Sequence, residues 1–368
     1  MTVADATLGT PRRSAAREFV DAVSTIMVKE LRSRMRGRRA FILLTVYLGL
    51  LALIAYGVYL ISAPSVGGGF ADANASAIVG QAIFVLLSIF QLILICFIAP
   101  AATAGQISLE REKQTLDLLI STPMRPGAII VGKLAAALAY VVLMIAAAVP
   151  ITAIVLMYGG ATVMDIIRQQ LVLLASAIVL GAVGLFFSAL LKRTQAATVL
   201  TYVTLLALTL GTTAIFVFWT IFASQNSDGL VVGRQERAPE QILYVNPGVA
   251  MLDVIAGTES TVFGGLGGFL AELRGEPTFG GPGVDCFEED CAPINGGANP
   301  ASGYWWPRIS ITFVILAVIL TVASMRLVVP PGMRGRLWPL RTPVSTSDPA
   351  IVEEPAPTPA DEAGSPHP

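Results

Sequence analysis

Residues 108–127 read SLEREKQTLDLLISTPMRPG and stand between two long apolar runs. Glu110, Arg111, Glu112, Lys113 and Asp117 cannot lie in hydrocarbon, because a charge at the bilayer centre costs about 2.5–3.5 kcal/mol even on the mildest scale. The strip is patterned all the same. Leu109, Leu116, Leu119 and Ile120 recur at helical spacing, and Pro123 and Pro126 end the pattern. This predicts an amphipathic helix held just outside a membrane, where a partner on that side can push on it.

The composition agrees with a bilayer. Of 368 residues 54% are hydrophobic and 13% charged, and the mean hydropathy is +0.71. Ordinary soluble domains carry about 25% charged residues. The only histidine is His367, which leaves little material for His-based catalysis or metal binding. The first forty residues are polar and Arg-rich, unlike a cleavable signal peptide.

A run of about 20 apolar residues crosses a bilayer core. Six are present, at 41–61, 78–107, 128–157, 169–191, 196–223 and 309–329. The expected fold is an all-α integral membrane protein with six transmembrane helices. The second run is long enough to project beyond the membrane toward Glu110, with Pro100 bending it near that end; Pro150 should bend the third. Lys and Arg cluster before the first run, in the 108–127 strip, at Lys192 and Arg193, and after the sixth run. The opposite connections hold Arg168, Arg234, Arg237, Arg274 and Arg308. The basic side is expected to be cytoplasmic, with both termini inside.

Outside the runs, residues 1–14 and the Pro-rich tail 330–368 are expected to be disordered. Residues 15–36 place Phe19, Val20, Val23, Ile26, Met27 and Leu31 on one face, as in an interfacial helix with its apolar face in the lipid. Residues 224–308 form a large extracytoplasmic loop before the sixth run. It contains YVNPGVAMLDVIAG, expected to lie as a short helix at the outer interface, and Tyr304, Trp305 and Trp306, expected as an aromatic belt. Cys286 and Cys291 stand close enough to close a disulfide loop within the acidic DCFEEDC, which otherwise reads as a solvated loop.

Gly127–Leu134, GAIIVGKL, falls one hydroxyl short of a phosphate-binding loop, and no strand leads into it. This chain is therefore expected to bind no cofactor; if ATP drives it, another chain hydrolyses it. The run interiors lack Asp, Glu, Lys, Arg and His, which ion-coupled carriers usually need. Their Gln, Ser and Thr residues are expected to cross-link helices or bond their own backbone.

The chain resembles permease subunits of the ABC-2 family of ABC exporters. The likeness rests on KELRSRMRGRRAF before the first run and on ISLEREKQTLDLLISTPMRPGAIIVGK after the second. That second piece is similar to I-x-x-E-R-E-x-x-T-[LM]-[DE]-x-L-x-x-[ST]-P followed by G-K. The six-run layout is the third element. Gln114 stands where many members carry glycine. The resemblance implies a permease of the plasma membrane that pairs with a second copy or paralogue and binds a cytoplasmic ABC ATPase. It implies that residues 15–36 are the elbow helix. Glu110, Arg111, Glu112, Thr115, Leu116 and Leu119 would lie in the coupling helix, and the second and fifth runs would line the path and the dimer contact. Membrane lipids are the other expected partner; nucleic acid is not. The readings that compete are an ion-coupled secondary carrier and a non-transporting scaffold or sensor.

Overall fold

Helices form wherever the apolar runs leave the backbone no other way to satisfy its hydrogen bonds in hydrocarbon. The computed structural model describes residues 15–35, 37–66, 73–115, 126–225, 240–257 and 305–328. Residues 1–14, the tail, Leu116, Leu119, Cys286 and Cys291 lie outside them. The helices are α1 (Ala15–Met35), α2 (Arg38–Val66), α3 (Ala73–Thr103), α4 (Ser108–Glu112), α5 (Pro126–Ala153) and α6 (Val155–Tyr158). They continue with α7 (Val163–Leu190), α8 (Thr194–Leu206), a π-helical stretch (Ala207–Gly211) and α9 (Thr212–Gln225). A 3₁₀ turn (Glu240–Val245), α10 (Pro247–Ala256) and α11 (Trp305–Val328) complete the order. Six helical stretches are long and apolar enough to cross a membrane. Among the described residues there is no strand.

The centre of the bundle is α7, which packs against α3, α5, α8, α10 and α11. Its buried face is rich in small residues, including Ala177, Gly181, Gly184 and Ser188. In lipid such residues matter because close packing, rather than exclusion of water, holds helices together. Gly184 lies against Thr103, Ala104 and Pro100 of the second span, and Gly181 against Leu138 of the third. Around α7 sit Phe84, Leu87, Ile95, Met144 and Phe313, all buried. The outer faces of α2, α8, the π-helical stretch, α9 and α11 expose Leu53, Val199, Leu210, Phe218 and Ile319, an apolar surface suited to lipid.

The fourth span starts earlier than its charges imply. Asp165 and Arg168 place its start near Gln169, yet α7 begins at Val163. The charges serve the helix end: Asp165 N donates to Thr162 Oγ1 at 3.3 Å, and Thr162 N donates to Asp165 Oδ2 at 3.0 Å. This capping box satisfies backbone donors that the first turn leaves open. Arg168 pairs with the same carboxylate at 3.2 Å.

The third span is interrupted three residues after Pro150. Pro150 lies inside α5, which ends at Ala153, and α6 follows until Gly159 turns with φ 79°. Most of the spans' hydroxyls bond their own backbone: Ser88 donates to Phe84 O, Thr152 to Val149 O and Thr201 to Ala197 O. Gln169 cross-links to Gln91 at 3.3 Å.

Three expectations change. In α1, Ile26 seats on α5 so closely that a Cβ on Gly132 would lie 2.8 Å from it; part of the apolar face meets protein instead of lipid. The helix α10 is packed into the bundle and not laid on its surface. Val249, Ala250, Met251, Val254 and Ile255 are all buried, and it packs against α3, α7 and α11. The segment is apolar on every side except Asp253, a pattern that belongs inside a fold. Of the three aromatic residues expected as a belt, Trp305 is buried at the start of α11, Trp306 is half-buried, and Tyr304 lies outside the described residues. Asp253 accepts a hydrogen bond from Trp306 N at 2.8 Å, which caps that helix.

Candidate functional site

The chain leaves the second span through a hydrogen-bonded turn at 104–107 and enters the single turn of α4. The projecting end is thus a succession of turns and not one continuous helix. Leu109 N donates to Gly105 O at 3.1 Å, and Arg111 N to Ile107 O at 3.1 Å. The helix stops at Glu112 because Gln114 adopts φ 55°, the left-handed region. Glycine reaches that region freely, which accounts for glycine in the resembling pattern. The helical spacing from Leu109 to Ile120 therefore does not correspond to one helix.

Three contacts fasten this turn to three different helices. Ser188 Oγ of α7 accepts from Ile107 N at 2.9 Å and from Ser108 N at 3.0 Å. Lys133 Nζ of α5 lies 2.6 Å from Glu110 Oε1. Thr194 N, in the first turn of α8, donates to Glu112 Oε1 at 2.7 Å. Since Arg193 offers that helix no side-chain cap, Glu112 supplies one from across the bundle. Beneath the turn, Ile107 packs with Ile130, Leu134, Leu185 and Ala189, and Met325 and Val328 of α11 join them.

The expected site residues therefore divide. Glu110 faces inward to Lys133, and Glu112 is committed to α8. Thr115 closes the turn, its N–H donating to Glu110 O at 3.0 Å. Arg111 is half-buried, while Leu109 and Lys113 are exposed. Sequence reasoning missed Ser188 and the role of Lys133. Ser188 looked like any intramembrane hydroxyl, and Lys133 like a topology anchor. Residues 127–134 are helical within α5, and the lysine of the near-match to a phosphate loop is held by Glu110.

This end of the bundle also collects Arg111, Lys113, Lys133, Lys192, Arg193 and Arg326. Residues 24–328 match the family described as ABC-2 family transporter protein. The chain belongs to that family. No curated protein matches it. As an ABC-2 protein it is a multi-pass membrane protein and a permease subunit of an ABC transporter, a transport component that is not itself catalytic. Members of the family generally work with an ABC ATPase partner.

A second feature of the permease lies deeper. An apolar cleft of about 340 Å³ opens between α3, the middle of span five and α10. Ile93, Phe97, Leu206, Thr209 and Met251 line it, and Thr209 is the one hydroxyl among the described residues that line it.

Proposed function

We propose that this chain is the membrane half of an exporter whose ATPase docks on the turn at 107–115. The observation that carries this reading is the triple fastening of that turn to α5, α7 and α8. A displacement applied there passes to spans two to five together, because Ser188, Lys133 and Thr194 each hold it. In this reading the basic end faces the cytoplasm, both termini lie there, and the protein resides in the plasma membrane.

The roles of the strip follow. Glu110 and Glu112 work as struts that hold the turn's shape, and Thr115 closes it. Leu109, Arg111 and Lys113 meet the ATPase, and Leu116 and Leu119 supply apolar anchor area. ATP is bound and hydrolysed on the partner. The elbow helix α1 transmits the same movement to the third span through Ile26 and Gly132. A second permease, identical or related, completes the path, with spans two and five on the shared side and the apolar cleft opening toward it.

The test is affinity capture of the full chain from membranes in mild detergent, with proteins identified by mass. Recovery of a nucleotide-hydrolysing ABC subunit in near-equal amount is expected. Recovery of the intact permease with no such subunit, where a known permease complex survives the same treatment, contradicts the proposal.

A further inference from the structure

We propose that Asn246 joins the outer helix α10 to the π-helical stretch of span five, so that the two move as one body during transport. Asn246 is 2% exposed, and both ends of its amide are in use. Its Oδ1 accepts from Gly248 N at 2.8 Å and Val249 N at 3.4 Å, capping α10. Its Nδ2 reaches Thr209 O at 2.9 Å, Thr212 Oγ1 at 3.0 Å and Thr213 Oγ1 at 2.8 Å.

The site it reaches is the one place where span five departs from α-helix. A π-helical turn shifts the hydrogen-bond ladder by one residue and loosens its carbonyls, and such turns recur at functional positions. Thr212 and Thr213 already donate to Leu208 O and Thr209 O, which leaves their oxygens free to accept from Asn246. Within the bilayer no water stands ready to replace these partners if the contact opens.

The packing shows why this clasp governs movement. Among the described residues, the outer half of span five, α9, meets the 3₁₀ turn that leads into Asn246, and Phe216 is buried in the core. The helix α10 is packed against α3, α7 and α11. Asn246 is therefore a positioning residue: it ties span five at its π-helical stretch to the helix packed at the centre of the bundle.

The test is a distance measurement by double electron–electron resonance on the full chain in lipid nanodiscs. Spin labels go on Phe218 of α9 and Met164 of α7, both exposed, with Cys96, Cys286 and Cys291 replaced by serine. With Asn246 present, one narrow distance distribution is expected. Asn246→Asp keeps the helix cap but loses the donor, and should widen that distribution roughly twofold. A control pair on Met164 and Ile311 of α11 should not change. An unchanged Phe218–Met164 distribution in Asn246→Asp overturns the proposal. Should that variant not fold, Thr212→Val with Thr213→Val removes two acceptors and leaves the cap intact, and the same two outcomes decide. No ATPase takes part, so the result stands apart from the docking proposal.

Discussion

Replacing Lys133 with methionine is expected to destabilise the permease by about 2–3 kcal/mol, and adding Glu110→Gln should recover most of that loss. Removing one partner of a fully buried ion pair costs roughly 3–5 kcal/mol, because the other charge is left stranded. Here Lys133 is 10% and Glu110 23% exposed, so some solvent reaches the carboxylate and the lower figure applies. The second oxygen, Glu110 Oε2, is buried and has no hydrogen-bond partner among the described residues, so the carboxylate has little else to turn to. Thermal unfolding of the single and double variants in detergent reads this directly. A neutral Lys133→Met would make the pair an ordinary surface contact, and the strut assigned to Glu110 would go with it.

A comparable loss is expected from Gly184→Ala. A methyl group there would collide with Thr103 Oγ1 and stand 3.2 Å from Ala104 N and 3.3 Å from Pro100 O. Overfilling a packed contact costs about 1–3 kcal/mol, and the backbone atoms on the far side cannot step away. The crossing lies one turn from Ser188, so the turn at 107–115 should shift with it. Thr103→Ala in the same chain removes the colliding oxygen and should restore part of the stability. Gly49→Ala in α2 is the contrast, since nothing lies within 4 Å of its added methyl. It should unfold at the same temperature as the parent or slightly above it, given that alanine favours helix over glycine by about 1 kcal/mol. Equal behaviour of Gly184→Ala and Gly49→Ala would mean that α3 and α7 are not held by that close approach.

The six spans were legible because each is a continuous apolar run, and length alone then implies a crossing. What the runs could not convey is what charges do at their ends. Asp165 and Arg168 looked like a boundary, yet Asp165 caps the helix it belongs to and Arg168 pairs with it. Glu110 and Lys133 lie 23 positions apart, and nothing in either neighbourhood marks the other as its partner. The apolar spacing from Leu109 through Leu116 and Leu119 to Ile120 pointed to one helix. Gln114 breaks it through backbone conformation, which hydrophobic periodicity does not register. The glycine of the resembling pattern was the available signal, since glycine at a fixed place often marks a positive φ. In α10 the excess of apolar residues was itself a sign of burial, obscured by its setting in a long outer connection. Asn246 was readable as a cap before Pro247, but its second set of bonds depends on a π-helical stretch 37 residues away.

Docking of an ATPase on the turn at 107–115 is tested most directly by site-specific photocrosslinking in intact membranes. The probe is placed in turn at Leu109 and at Lys113, both exposed, and at Met157, which is 87% exposed near the opposite end of the bundle. Covalent capture of an ABC ATPase from Leu109 or Lys113, and not from Met157, is the predicted result. Capture from Met157 alone, or from none of the three while the ATPase co-purifies, contradicts it.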